Sequence, residues 1–165
     1  MIFSSCFDWV LLRLSQHYLV GMRNPKEILR IAESRIAEAK VLFDAGYYEG
    51  AFYLAGYSIE MALKAKICLH LDIPNLFEDS KLLDKLKFKT HDIITLLLLS
   101  GLRKKFETEM SKNVPLYENW NLISTTWNEK CRYDCCGTKS KQETGDLINA
   151  ISDSSNGVLT WILNN

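Results

Sequence analysis

Between Asp44 and Leu71 the chain reads D-A-G-Y-Y-E-G-A-F-Y-L-A-G-Y-S-I-E-M-A-L-K-A-K-I-C-L-H-L, an apolar helix pattern with Glu60 and Lys64 set in its middle. Small residues recur at Ala51, Ala55, Ser58, Ala62 and Ala65, in alternating steps of four and three. Those steps share one helix face, and the small side chains let a second helix backbone come close. Just upstream, Leu29, Ala32, Ile36, Ala39 and Phe43 keep the same rhythm. Two such stripes joined at Gly46 predict an antiparallel helical hairpin.

The ends of the first helix are marked by their own chemistry. Asn24 is an N-cap, Pro25 fits the first helical position and Glu27 is the expected capping-box partner. The helix is expected to run to about Ala45, and the second from Tyr47 to Leu71, stopped by Pro74. Residues 75–89 are charged, anchored by Leu82, Leu83, Leu86 and Phe88, and read as a short helix or irregular crossover. Thr90 is then expected to cap a third helix, with His91 and Asp92 in its first turn, running through the leucine run to about Met110.

After Pro115, Leu116, Trp120, Ile123 and Trp127 repeat by four, three and four, which predicts a fourth amphipathic helix. Asp134 to Thr144 reads as a loop. A closing helix carries Leu147, Ile151, Val158 and Ile162 inward and ends near Trp161. Nothing alternates with period two for long enough to make a strand. The expected fold is all-α: an up-and-down bundle of four long helices and a short one.

Composition narrows the setting. The 165 residues suffice for one domain with its own core. Lysine plus arginine balance aspartate plus glutamate at 20 each, so any attraction to nucleic acid must come from a local patch. Five cysteines, odd in number and unevenly spaced, point to a reducing cytoplasm. The longest apolar run, Ile93 to Leu99, is far too short to span a bilayer, so no membrane association is expected. The opening M-I-F-S-S-C-F-D-W-V-L-L-R is interrupted by Asp8 and Arg13 and makes a poor secretion signal. Residues 1–21 are expected to be an N-terminal extension, either an upstream stretch of reading frame or a loosely attached helix. The helical domain is then residues 22–165.

Candidate chemistry gathers around the second helix. Glu60 and Lys64 stand one turn apart on the face that also carries Tyr53 and Tyr57. In so apolar a helix both charges lose water and need each other, or a partner such as Tyr57 or Arg132. The bland reading is a pair that fixes helix packing; the functional one is the polar floor of a ligand pocket. His91 reads either as a base or nucleic-acid contact, or as a boundary histidine bonded to neighbouring backbone. His70 and Asp72 have ligand chemistry but no third partner at readable spacing. Cys131, Cys135 and Cys136 lack a zinc-site pattern, so no metal or cofactor is expected. Arg103, Lys104 and Lys105 form a short basic step, and Lys130, Arg132, Lys139 and Lys141 cluster near the loop. Together they read as a modest positive patch suited to phosphate, or as solvated surface.

Three stretches carry a family resemblance: A-F-Y-L-A-G-Y-S-I-E-M-A-L-K, then T-H-D-I-I-T-L-L, then W-N-E-K-C-R-Y ahead of a helix ending T-W-I-L. The chain resembles HEPN domains (higher eukaryotes and prokaryotes nucleotide-binding) over roughly Pro25 to Leu163. The resemblance implies a helical bundle, often a homodimer, found beside minimal nucleotidyltransferases in toxin–antitoxin or defence systems. Many such domains are ribonucleases acting through an R-x4–6-H motif. No arginine here has a histidine at that spacing; Arg132 is followed by Y-D-C-C-G-T-K-S.

The resulting expectation is a non-catalytic module that binds a nucleotide, RNA or a partner protein. Its ligand-binding residues would be Tyr57, Glu60, Lys64, His91, Arg132 and Tyr133. A metal-independent ribonuclease with a rearranged site, using His91 as base and Arg132 as cation, is the first alternative. A purely structural dimerising subunit is the second. Trp120 and Trp127 are expected to form the exposed aromatic patch of a two-fold interface.

Overall fold

The computed structural model describes residues 24–73 and 90–165. The expectations for residues 1–21 and for the crossover at 75–89 lie outside the described residues. Within them are seven α-helices, one 3-10 turn and no strand: α1 (Pro25–Asp44), α2 (Tyr48–His70), α3 (Ile93–Leu99), α4 (Arg103–Met110), α5 (Val114–Thr126), the 3-10 turn Glu129–Tyr133, α6 (Lys141–Ser152) and α7 (Val158–Asn164). The architecture is the expected all-α bundle.

The hairpin forms as its stripes require. Asn24 caps α1 by accepting a bond from the Glu27 backbone N–H at 3.0 Å, with Pro25 at the first position. The capping box is only half made, because Glu27 Oε2 is buried with no hydrogen-bond partner among the described residues. Gly46 turns the chain at φ +84°, the left-handed region that glycine enters without steric cost. Ala32 and Ala39 of α1 and Ala51, Ala55, Ala62 and Ala65 of α2 are wholly buried, and α1–α2 is the most extensive helix contact. Helix α2 is the axis of the bundle, touching α1, α3, the 3-10 turn, α6 and α7.

Three expected elements are divided differently. The third helix is two helices, broken at Ser100–Leu102, where Gly101 takes φ +74° against the His70 ring. A Cβ at Gly101 would come within 2.7 Å of that imidazole. Its cap is Asp92, not Thr90: the Asp92 carboxylate accepts from Ile94 and Thr95 backbone N–H groups at 3.3 and 3.1 Å. The loop after the 3-10 turn is shorter than expected, because Ser140 and Glu143 form a reciprocal capping box that starts α6 at Lys141. The closing helix is also two, separated by an Asp153 side-chain turn onto the Ser155 and Asn156 N–H groups.

Trp127 departs most from its expected place. It follows α5 in extended backbone, leaves the helix and lies buried over Gly56 of α2. Trp120 packs edge-on against Phe106, with ring centroids 5.1 Å apart. The expected exposed aromatic interface is therefore not available from Trp127, which the core has absorbed.

Candidate functional site

One face of α2 carries Tyr53, Tyr57, Glu60 and Lys64 in steps of four, three and four. Glu60 and Lys64 are 1% and 5% exposed, so burial forces their charges together. Lys64 Nζ donates to Glu60 Oε1 at 2.6 Å. His91 Nδ1 lies 2.9 Å from the same oxygen; a carboxylate only accepts, so Nδ1 carries the hydrogen. The sequence offered a neighbouring backbone group as the partner of His91; the structure supplies a buried carboxylate. The imidazole is part-exposed, and no other hydrogen bond to its ring is found among the described residues.

The second half of the site comes from the segment after α5. Trp127 Nε1 donates to the Tyr53 carbonyl at 3.1 Å, which pins this segment to α2. The Asn128 side chain then caps the 3-10 turn by accepting from Lys130 N–H at 3.0 Å. That turn brings Arg132 over the Tyr53 ring at 5.7 Å and over the Tyr133 ring at 5.6 Å. Arg132 Nε donates to the Glu129 carbonyl at 3.1 Å, which orients the guanidinium. Arg132 and Tyr133 are both exposed.

Tyr57 links the two halves. It stacks on Tyr53 with ring centroids 5.8 Å apart. Burial raises its phenol above the ordinary value, with Glu60 and Tyr53 adding to the rise and Arg35 and Arg132 opposing it. A folded-state value above the unfolded one means stability that is complete below about pH 10 and is lost as pH climbs through the raised value. Urea unfolding of Tyr57→Phe from about pH 9 to 11 is expected to show a shallower alkaline loss than wild type.

The six residues read from the sequence thus form one run along α2, with the ion pair at one end and the Arg132–Tyr133 platform at the other. Glu60, Lys64 and His91 are in direct contact. No hydrogen bond or ion pair joins His91 to Arg132 among the described residues. Two members went unassigned in the sequence: Tyr53, which the i,i+4 step to Tyr57 signals, and Arg35 of α1, which no local pattern marks.

The neighbouring loop is tied to the start of α2. The Glu49 carboxylate accepts from the backbone N–H groups of Gly137 and Lys139 at 2.6 and 3.3 Å. Backbone hydrogen bonds hold Glu49 below the usual carboxylate range. Lys139 of that loop sits 4.3 Å from the Phe52 ring centroid, and it also pairs with Asp134 at 3.6 Å. Cys131, Cys135 and Cys136 are free thiols. Among the described residues no three His, Cys, Asp or Glu side chains converge on a metal-sized site, and no helix is long and apolar enough to cross a membrane.

A buried carboxylate held on a central helix, inside a tight helical hairpin and beside an exposed arginine, defines an all-α bundle with one polar flank. The chain belongs to the HEPN domain family, whose model matches residues 25–152, most of its length. No curated protein and no solved structure matches it significantly.

Proposed function

We propose that the chain is a non-catalytic HEPN module that binds a nucleotide or RNA across Tyr57, His91, Arg132 and Tyr133. Glu60 and Lys64 serve this face from beneath, neutralising each other and orienting His91. The observation that carries the reading is the exposed Arg132 guanidinium, which lies within cation–π distance of both the Tyr53 and the Tyr133 ring. A cation beside aromatic faces suits a phosphate and a stacked base together, and Arg offers a planar fork for the phosphate. Catalysis would need a base and a cation converging on one phosphate; no hydrogen bond or ion pair joins His91 to Arg132 among the described residues, and Arg132 is oriented by the Glu129 carbonyl. The homodimer and the nucleotidyltransferase partner of a toxin–antitoxin or defence pair belong to this proposal through family membership.

Isothermal titration with nucleoside triphosphates and short single-stranded RNA tests it. Binding is expected in wild type and about tenfold weaker in Arg132→Ala, as for one lost charge-assisted contact. No binding, or equal binding by the variant, removes the site.

One observation favours a ribonuclease instead: the buried Glu60 carboxylate orients the imidazole of part-exposed His91, as an acid–base pair requires. Labelled RNA incubated with the protein decides between them. Cleavage abolished by both His91→Ala and Arg132→Ala would establish the enzyme.

A further inference from the structure

The loop between the 3-10 turn and α6 carries two adjacent cysteines, Cys135 and Cys136, both exposed. It is held on either side of them. Ahead of the pair, the Asp134 N–H donates to the Cys131 carbonyl at 3.3 Å, and the Asp134 carboxylate pairs with Lys139 at 3.6 Å. Beyond it, the Glu49 carboxylate of α2 accepts from the Gly137 and Lys139 N–H groups at 2.6 and 3.3 Å. The third cysteine of the cluster, Cys131, is 7% exposed inside the 3-10 turn and so is largely screened from solutes.

The two thiols sit in a turn that glycine makes possible. The Thr138 N–H donates to the Cys135 carbonyl at 3.2 Å, and the Thr138 hydroxyl donates to the same oxygen at 2.9 Å. Gly137 takes φ +88° while Cys136 stays out of the left-handed region, the pattern of a type II turn with Cys136 and Gly137 at its centre. Adjacent Cα atoms are only about 3.8 Å apart across a trans peptide, below the roughly 4.4–6.8 Å that an ordinary disulfide spans. A bridge between Cys135 and Cys136 therefore closes only by turning the peptide unit between them. The strain so stored makes the bridge easy to reduce. The next peptide unit is Cys136–Gly137, whose N–H Glu49 holds, so reorienting Cys136 moves that N–H off the carboxylate.

We propose that Cys135 and Cys136 are a reversible redox pair: hydrogen peroxide closes them into a vicinal disulfide, and closure releases the loop from Glu49. One thiolate attacks the peroxide, breaks its O–O bond and becomes a sulfenic acid, while the second oxygen takes up a proton and leaves as water. The neighbouring thiol then attacks that sulfur, forms the S–S bond and expels a second water. Two thiols are oxidised and one peroxide is reduced to two waters. Glutathione reverses the change by thiol–disulfide exchange and is itself oxidised to its disulfide. The pair needs no nucleotide, so it stands or falls independently of the Arg132 face.

Treatment of the full chain with hydrogen peroxide, followed by iodoacetamide and tryptic mass mapping, tests the pair. Cleavage after Arg132 and Lys139 yields Tyr133–Lys139, a peptide with both thiols and no other cysteine. That peptide is expected to lose about 2 Da, the mass of two hydrogens, and to resist alkylation. Millimolar glutathione is expected to restore both alkylatable thiols, as for a strained bridge. In Cys136→Ser the same peptide is expected instead to carry a sulfenic acid at Cys135 that dimedone traps. Both side chains are exposed, so this substitution is expected to leave folding intact. In amide exchange, Gly137 and Lys139 are expected to lose protection on oxidation and to regain it on reduction. Thiols that stay alkylatable after peroxide, a cross-link from either cysteine to Cys131 or to a second copy, or a bridge that glutathione leaves closed overturns the proposal. So does unchanged exchange at Gly137 and Lys139.

Discussion

Lys64→Met is expected to lose about 3–5 kcal/mol of folding stability, the range for removing one partner of a buried ion pair. The loss arises at Glu60 more than at position 64. Methionine nearly fills the space of the lysine stem, so packing changes little. The Glu60 carboxylate, its side chain 2% exposed, keeps only the His91 imidazole as a partner among the described residues. A charge so buried is costly when half its compensation is gone. The double variant Glu60→Gln with Lys64→Met, which removes both charges, is expected to recover at least half of the loss, because neutralising both members leaves no orphaned charge. Urea unfolding at neutral pH measures both. A single-variant loss below about 1 kcal/mol, the scale of exposed pairs, would show that the pair is not desolvated as described.

Trp127→Ala is expected to lose a similar amount, about 3–5 kcal/mol, the usual cost of emptying a buried aromatic site. The indole is 3% exposed and covers a position where only glycine fits: a Cβ on Gly56 would lie 2.2 Å from its ring. Gly56→Ala is accordingly expected to be destabilising by overpacking, about 1–3 kcal/mol. The two sites share one contact, so the double variant is expected to cost less than the sum, since each removes the other's problem. Chemical unfolding of the four proteins closes this cycle; strict additivity would mean that Trp127 does not rest on Gly56. Trp127→Ala is also expected to weaken nucleotide binding, because the Trp127 bond to the Tyr53 carbonyl places the 3-10 turn and its Arg132.

The parts of the fold that were legible in the sequence are those written locally. The seams of α1 and α2, the Asn24–Pro25 start and the Gly46 turn all depend on residues within a few positions of one another, and they formed where expected. Continuous helices were expected at Ser100–Leu102 and Asp153–Gly157 because hydrophobic spacing runs through both breaks. Turn chemistry overruled it, through a left-handed Gly101 and an aspartate that satisfies the backbone of the next turn. The same trade of periodicity for turn geometry misplaced Trp127. Its spacing from Ile123 fits a helix, yet the chain has already turned extended there.

The site divides along the same line. Spacing alone put Tyr57, Glu60 and Lys64 on one face and required the two charges to be compensated, because an apolar helix leaves them no water. Which groups would complete that compensation was not decided by sequence. His91, 31 positions on, bonds Glu60 instead of backbone, and Arg132, 79 positions beyond Tyr53, lies over its ring. Such pairings depend on how α3 and the 3-10 turn are docked against α2, and docking is set by the summed fit of many buried side chains. The sequence determined a helical hairpin with an ion pair that had to be buried. The tertiary structure alone decided which residues stand around it.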